Sequence, residues 1–161
     1  MGWLTKMLIG AGSAASKPQA RPRKPAPPAA RSSAPAGALA ILGGAGYPRS
    51  VVGESHCQEA LSAICGGHNR EGHEMESTAH LVPEPSNAFD PNAVMVMIGG
   101  LKVGYLMRDD APRYLAALRA AGRDGEAASV RAKIVGGWRT NQHDAGHFGV
   151  KLALPWPVRF S

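Results

Sequence analysis

Carboxylates are missing from the first 48 positions, which hold Lys6, Lys17, Arg21, Arg23, Lys24 and Arg31 and no Asp or Glu. The rest of the chain carries twelve basic and twelve acidic side chains. The overall charge of +6 therefore belongs to the N-terminal stretch, and it implies no strongly basic groove in the folded part. Cysteine is scarce. Cys57 and Cys65 alone exclude a disulfide framework and set the expectation of a reduced, cytoplasmic setting. No apolar run reaches the ~18–20 residues of a membrane span. The apolar stretch at residues 8–11 falls short of the ~7–15 residues of a secretory leader, and only Lys6 precedes it.

Several catalytic templates are also missing. The chain has no Gly-x-x-x-x-Gly-Lys-Ser/Thr phosphate loop, no Gly-x-Ser-x-Gly elbow and no Cys-x-x-Cys knuckle. Cys57, Cys65, His68 and His73 are zinc-ligand types, but Cys65-x-x-His68 is the one tight pair. His143 and His147 would need a helix to converge, and Asn141, Asp144 and Gly146 favour a loop there. The acids form no nuclease-like cluster; Asp109 and Asp110 suit a helix start. The expectation is a non-catalytic chain with no metal and no cofactor.

Seven of the 13 prolines fall in residues 17–48, among Ala, Ser and Arg. Such a segment has little apolar surface to offset chain entropy, so residues 1–48 read as a disordered basic arm. Arg21-Pro22-Arg23-Lys24-Pro25 suits either a solvated spacer or phosphate attraction by counterion release. Trp3, Leu4, Met7, Leu8 and Ile9 have approximate helical spacing and could dock on a partner, though one lysine makes a poor membrane-surface helix.

Residues 49–161 read as the folded domain. Strands are expected at 49–54, 73–83, 93–98, 101–106, 129–135 and 148–154. Gly99 and Gly100 join two of them in a hairpin. A short helix fits 58–64. A second begins at Asp109 or Asp110, admits Pro112 in its first turn and ends at Gly122, with Tyr114, Leu115, Leu118 and Ala121 as its stripe. A polar loop is expected at 139–146, with Trp138 as a barrel-end plug or stacking platform. Together these imply a mainly β (α+β) fold: a small OB-like barrel of about six strands with one or two short helices.

The most specific motif is Val82-Pro83-Glu84-Pro85-Ser86-Asn87-Ala88-Phe89-Asp90-Pro91-Asn92-Ala93-Val94, preceded by Val51-Val52-Gly53 and followed by Lys102-Val103-Gly104-Tyr105-Leu106. Read as turn chemistry, Asp90 caps backbone amides two residues on, and Phe89 plugs the barrel end. In order and spacing, however, the three blocks over residues 49–154 resemble the HIRAN domain, a module of helicase-like transcription factor and of stand-alone bacterial proteins.

The resemblance implies an OB-like barrel that binds the 3′ end of single-stranded DNA. By position, Asp90 accepts a hydrogen bond from the terminal 3′-hydroxyl, Phe89 stacks on a base, Asn87 bonds the terminal nucleotide and Arg108 contacts a phosphate. Tyr105 stands where the family has a ring beside the DNA, and Phe148 supplies another stacking face. Ser55 and His56 complete the set, at positions where the family often has aromatics or an arginine and where Glu54 adds a negative charge. A carboxylate in a polyanion site suits a donor such as a free hydroxyl and repels a phosphorylated end.

The reading is thus a non-catalytic DNA-binding module for single strands or 3′-hydroxyl ends, working in DNA repair or processing beside a helicase or nuclease. The Ala-, Arg- and Gly-rich composition is of a bacterial kind. The alternative is a protein-interaction module tethered to a DNA-processing or membrane assembly, which the neutral charge of residues 49–161 favours.

Overall fold

The structure, a computed structural model, describes residues 39–161. In chain order the elements are β1 (Leu39–Ala40), β2 (Arg49–Val52), a single 3-10 turn (Glu54–His56), α1 (Gln58–Cys65), β3 (His73–Pro83), β4 (Val94–Ile98) and β5 (Leu101–Leu106). There follow α2 (Asp110–Ala120), β6 (Ala128–Gly136), β7 (Arg139–Asn141), β8 (Asp144–Ala145) and β9 (Phe148–Leu152).

Six strands close into an antiparallel barrel. Around it the neighbours run β6, β3, β4, β5, β2 and β9, and β9 pairs back onto β6. β1 adds a short parallel strand against β6, Leu39 opposite Ala128. The mainly β barrel with two short helices is the architecture the periodicity predicts.

The barrel closes because its strands alternate. β6 turns Ala128, Val130, Ala132 and Ile134 inward, and β3 buries Ala79 and Leu81 while Glu74, Glu76 and Thr78 face water. β4 is apolar throughout; Val94, Val96 and Ile98 point into the core, and Met95 and Met97 lie half-buried outside it. The helices cap this core. Leu61 of α1 is fully buried, as are Tyr114 and Leu118 of α2. Burial pushes the Tyr114 phenol well above its ordinary pKa.

Four expectations are corrected. The packed chain starts before residue 49: Leu39 and Ile41 are buried, and Ile41 bridges to Phe160. The Gly-, Ala- and Pro-rich composition of residues 39–48 hides this, because two buried side chains suffice to seat a short strand. Residues 1–38, the rest of the expected arm, lie outside the described residues. The strand expected at 49–54 stops at Val52, where Gly53 at φ +81° turns the chain into the 3-10 turn. Residues 139–145 form the β7–β8 hairpin, so the expected loop at 139–146 is mostly paired. Ala121 lies beyond α2 and is exposed. Among the described residues no helix is long and apolar enough to cross a membrane.

Candidate nucleic-acid interface

Four segments meet around one cavity of about 400 Å³. The end of β2 and the 3-10 turn supply Val52, Gly53, His56 and Cys57. The β3–β4 loop supplies Asn87, Phe89, Asp90 and Ala93. β5 and the residues after it give Lys102, Tyr105, Leu106 and Arg108, and α2 adds Ala111. Six of the eight residues singled out from the sequence therefore line one pocket: His56, Asn87, Phe89, Asp90, Tyr105 and Arg108.

A backbone irregularity in β5 builds one wall. Val96 faces Gly104 and Met97 faces Lys102, so Val103 is an extra residue with no partner of its own on β4. In an unbroken strand, residues three apart point to opposite faces. The bulge cancels one step: Val103 and Gly104 are both buried, and Lys102 and Tyr105 share the outer face. Lys102 Nζ lies 5.4 Å from the centre of the Tyr105 ring. Gly104 is required where β5 crosses β2, because a Cβ there would stand 2.5 Å from the Val52 carbonyl oxygen.

The opposite wall is a loop held by its own side chains. The Glu84 N–H donates to the Ala93 carbonyl and closes the loop's base (2.9 Å). Asn87 Nδ2 donates to Glu84 Oε2 at 2.8 Å, and the Tyr105 hydroxyl donates to the same oxygen at 3.1 Å. Asn87 Oδ1 accepts from the N–H groups of Phe89 (2.9 Å) and Asp90 (3.1 Å). The hydrogen bond from Asn87, that from Tyr105 and the nearby Lys102 charge hold the Glu84 carboxyl below the usual glutamate range.

Asp90 does what good turn chemistry asks, with Oδ1 accepting from the Asn92 N–H at 2.8 Å. That contact uses one carboxylate oxygen, and the other has no protein partner among the described residues. The turn reading and the ligand reading of Asp90 are thus compatible. Phe89 does not plug the barrel: it is 91% exposed. Among the described residues Arg108 makes no salt bridge. The pocket pairs an open aromatic face with two cations, Lys102 and Arg108, and one carboxylate, Asp90.

The chain matches no family model, no curated protein and no solved structure.

Two of the eight residues are not brought to the pocket. Phe148 is 2% exposed, enclosed by the rings of His68 (4.8 Å between centroids) and His73 (5.6 Å), so it offers no face to a base. Its place in an alternating strand turns it inward. Ser55 is exposed on the 3-10 turn and does not line the cavity. Two others are also engaged within the protein. The Asn87 amide oxygen is fully engaged by backbone donors, leaving one Nδ2 hydrogen for a ligand. Tyr105 has its hydroxyl on Glu84 and one ring face under Lys102.

The Glu54 carboxylate is turned toward β9, where Oε1 accepts from the Val150 N–H at 3.3 Å; it is not among the pocket residues. Lys102 and Val52 also line the cavity; they stand in the motif blocks but were not expected among the site residues. Alternation alone assigns Lys102 and Tyr105 to opposite faces, and nothing in the residue string announces the bulge that reunites them. Cys57 is buried at the pocket, whereas Cys65 is half-buried and desolvation raises its thiol. His73 Nε2 sits 2.8 Å from the Gly67 carbonyl. Among the described residues no three His, Cys, Asp or Glu side chains converge as a metal site. Trp138 is 38% exposed and its ring packs on Gly146, just after β8.

Proposed function

We propose that this protein is a non-catalytic DNA-binding module that takes the 3′-hydroxyl end of a single strand in the pocket between the 3-10 turn, the β3–β4 loop and β5. The observation that carries the reading is the convergence of Phe89, Asp90 and Arg108, separated by up to 19 positions in sequence, on one cavity. Each supplies what such an end needs. Phe89 offers a ring to a base, worth about 1–3 kcal/mol without sequence preference. Arg108 meets an internal phosphate. Asp90 accepts from the terminal hydroxyl, and its charge disfavours a phosphate in the same place. The motif's resemblance to the HIRAN domain supports the same ligand.

The test is fluorescence anisotropy of the full chain with two labelled single strands, one ending in a 3′-hydroxyl and one in a 3′-phosphate. The basic arm attracts both alike, so the difference between them isolates the pocket. Tighter binding to the hydroxyl end is expected. Asp90→Asn should keep the fold, since an amide oxygen also caps the Asn92 N–H, and should remove most of that preference. Equal affinity of the wild-type chain for both ends would refute the reading.

A second reading, a protein-interaction module, rests on a different surface. An open, apolar groove runs beside α2, lined by Leu42, Ala116, Ala120, Val158 and Phe160, and Leu42 is 54% exposed. A chain that binds neither strand but is retained by a helicase or nuclease would favour it.

A further inference from the structure

We infer that Glu84 is the positioning residue of the pocket: one of its carboxylate oxygens ties the loop bearing Phe89 and Asp90 to the strand bearing Tyr105 and Lys102. The inference rests on the DNA-end reading of that pocket and adds a residue that does not line it.

The connection is short and continuous. Glu84 Oε2 receives the Tyr105 hydroxyl from one wall and Asn87 Nδ2 from the other. Through Oδ1, Asn87 then fixes the backbone of the two residues whose side chains face the ligand, Phe89 and Asp90. Asn87 cannot serve that purpose unless its amide is oriented, and the Glu84 carboxylate orients it by accepting from the nitrogen end. No other side chain joins the β3–β4 loop to β5 by a hydrogen bond among the described residues.

A carboxylate beside a polyanion site is otherwise a liability. Here two donors and the Lys102 charge surround it, which is the setting in which a hydrogen bond to an ionised group is strongest. Two opposed expectations follow. If Glu84 were only a surface charge, removing it would relieve repulsion and tighten DNA binding. If it positions the loop, removing it frees Asn87 and Tyr105 and weakens binding although a negative charge has gone.

The experiment uses the full chain and its Glu84→Ala and Glu84→Gln variants against the labelled 3′-hydroxyl strand. Glu84→Ala should bind about tenfold more weakly, and Glu84→Gln, which keeps an acceptor oxygen in place, should recover most of the loss. Amide hydrogen exchange at Phe89 and Asp90, read by NMR without DNA, should speed up in Glu84→Ala and slow again in Glu84→Gln. Unchanged or tighter binding by Glu84→Ala, or unchanged exchange at both amides, would overturn the inference. A wild-type chain that binds neither end sinks the DNA reading alone, because the exchange measurement still decides whether Glu84 holds the loop.

Discussion

Phe148 and Phe89 are the same side chain in opposite circumstances. Phe148 is 2% exposed and Phe89 91%. Around Phe148 everything is arranged to admit a ring. Gly137 keeps its space clear, since a Cβ there would collide with the phenyl group, and His68 and His73 pack beside it. The side chain of Gln58 clamps its backbone, accepting from the Phe148 N–H at 2.8 Å and donating to its carbonyl at 3.0 Å. Around Phe89 the backbone is held as well, by the Asn87 side chain and the closed loop base, while among the described residues nothing covers the phenyl group. Rigid backbone with an uncovered ring suits a partner that arrives from solution; rigid backbone around an enclosed ring suits a core.

This contrast can be broken by two substitutions and sharpened by a third. Phe148→Ala should cost about 3–5 kcal/mol of stability, because a large cavity opens beneath two histidine rings; urea unfolding monitored by circular dichroism measures it. Phe89→Ala should leave the same unfolding curve within about 0.5 kcal/mol. It should instead lose about 1–3 kcal/mol of single-strand affinity, read by anisotropy. A Phe89→Ala chain that unfolds early, or binds unchanged, would erase the distinction between the two rings. The smallest effect belongs to charge. Arg108→Ala should leave stability unchanged and flatten the dependence of log affinity on log salt by about 0.7, one phosphate's share on a single strand. Comparing that slope with the salt-insensitive loss in Phe89→Ala separates stacking from phosphate attraction.

Much of the barrel was legible in the sequence because β3 and β6 alternate and turn residues bound the shorter apolar strands. β3 at His73–Pro83 has the bounds that its periodicity predicts, and β5 at Leu101–Leu106 those that the Gly99-Gly100 turn predicts. The start of the domain was illegible, since Leu39 and Ile41 sit in a stretch whose composition otherwise belongs to a linker. Within the site, the loop residues could be named from the motif, and the structure brings Asn87, Phe89, Asp90, Tyr105 and Arg108 to one cavity. Their division of labour could not. Whether Asn87 spends its amide on a ligand or on its own backbone depends on hydrogen bonds no residue string specifies. Phe148 was misread for a related reason: an aromatic residue at a strand's start looks alike whether it faces in or out, and only pairing with β6 settles its side.

The extra residue in β5 makes the pocket depend on parity. Lys102 and Tyr105 share a face because an odd separation has been made even by Val103. Substitutions along β5 change what the pocket presents, whereas losing or gaining one residue between those positions would send either the lysine or the tyrosine into the apolar interior. The chemistry of this surface is therefore written partly in a count of residues, and a change in length there reaches the site by a route that no change of side chain can take.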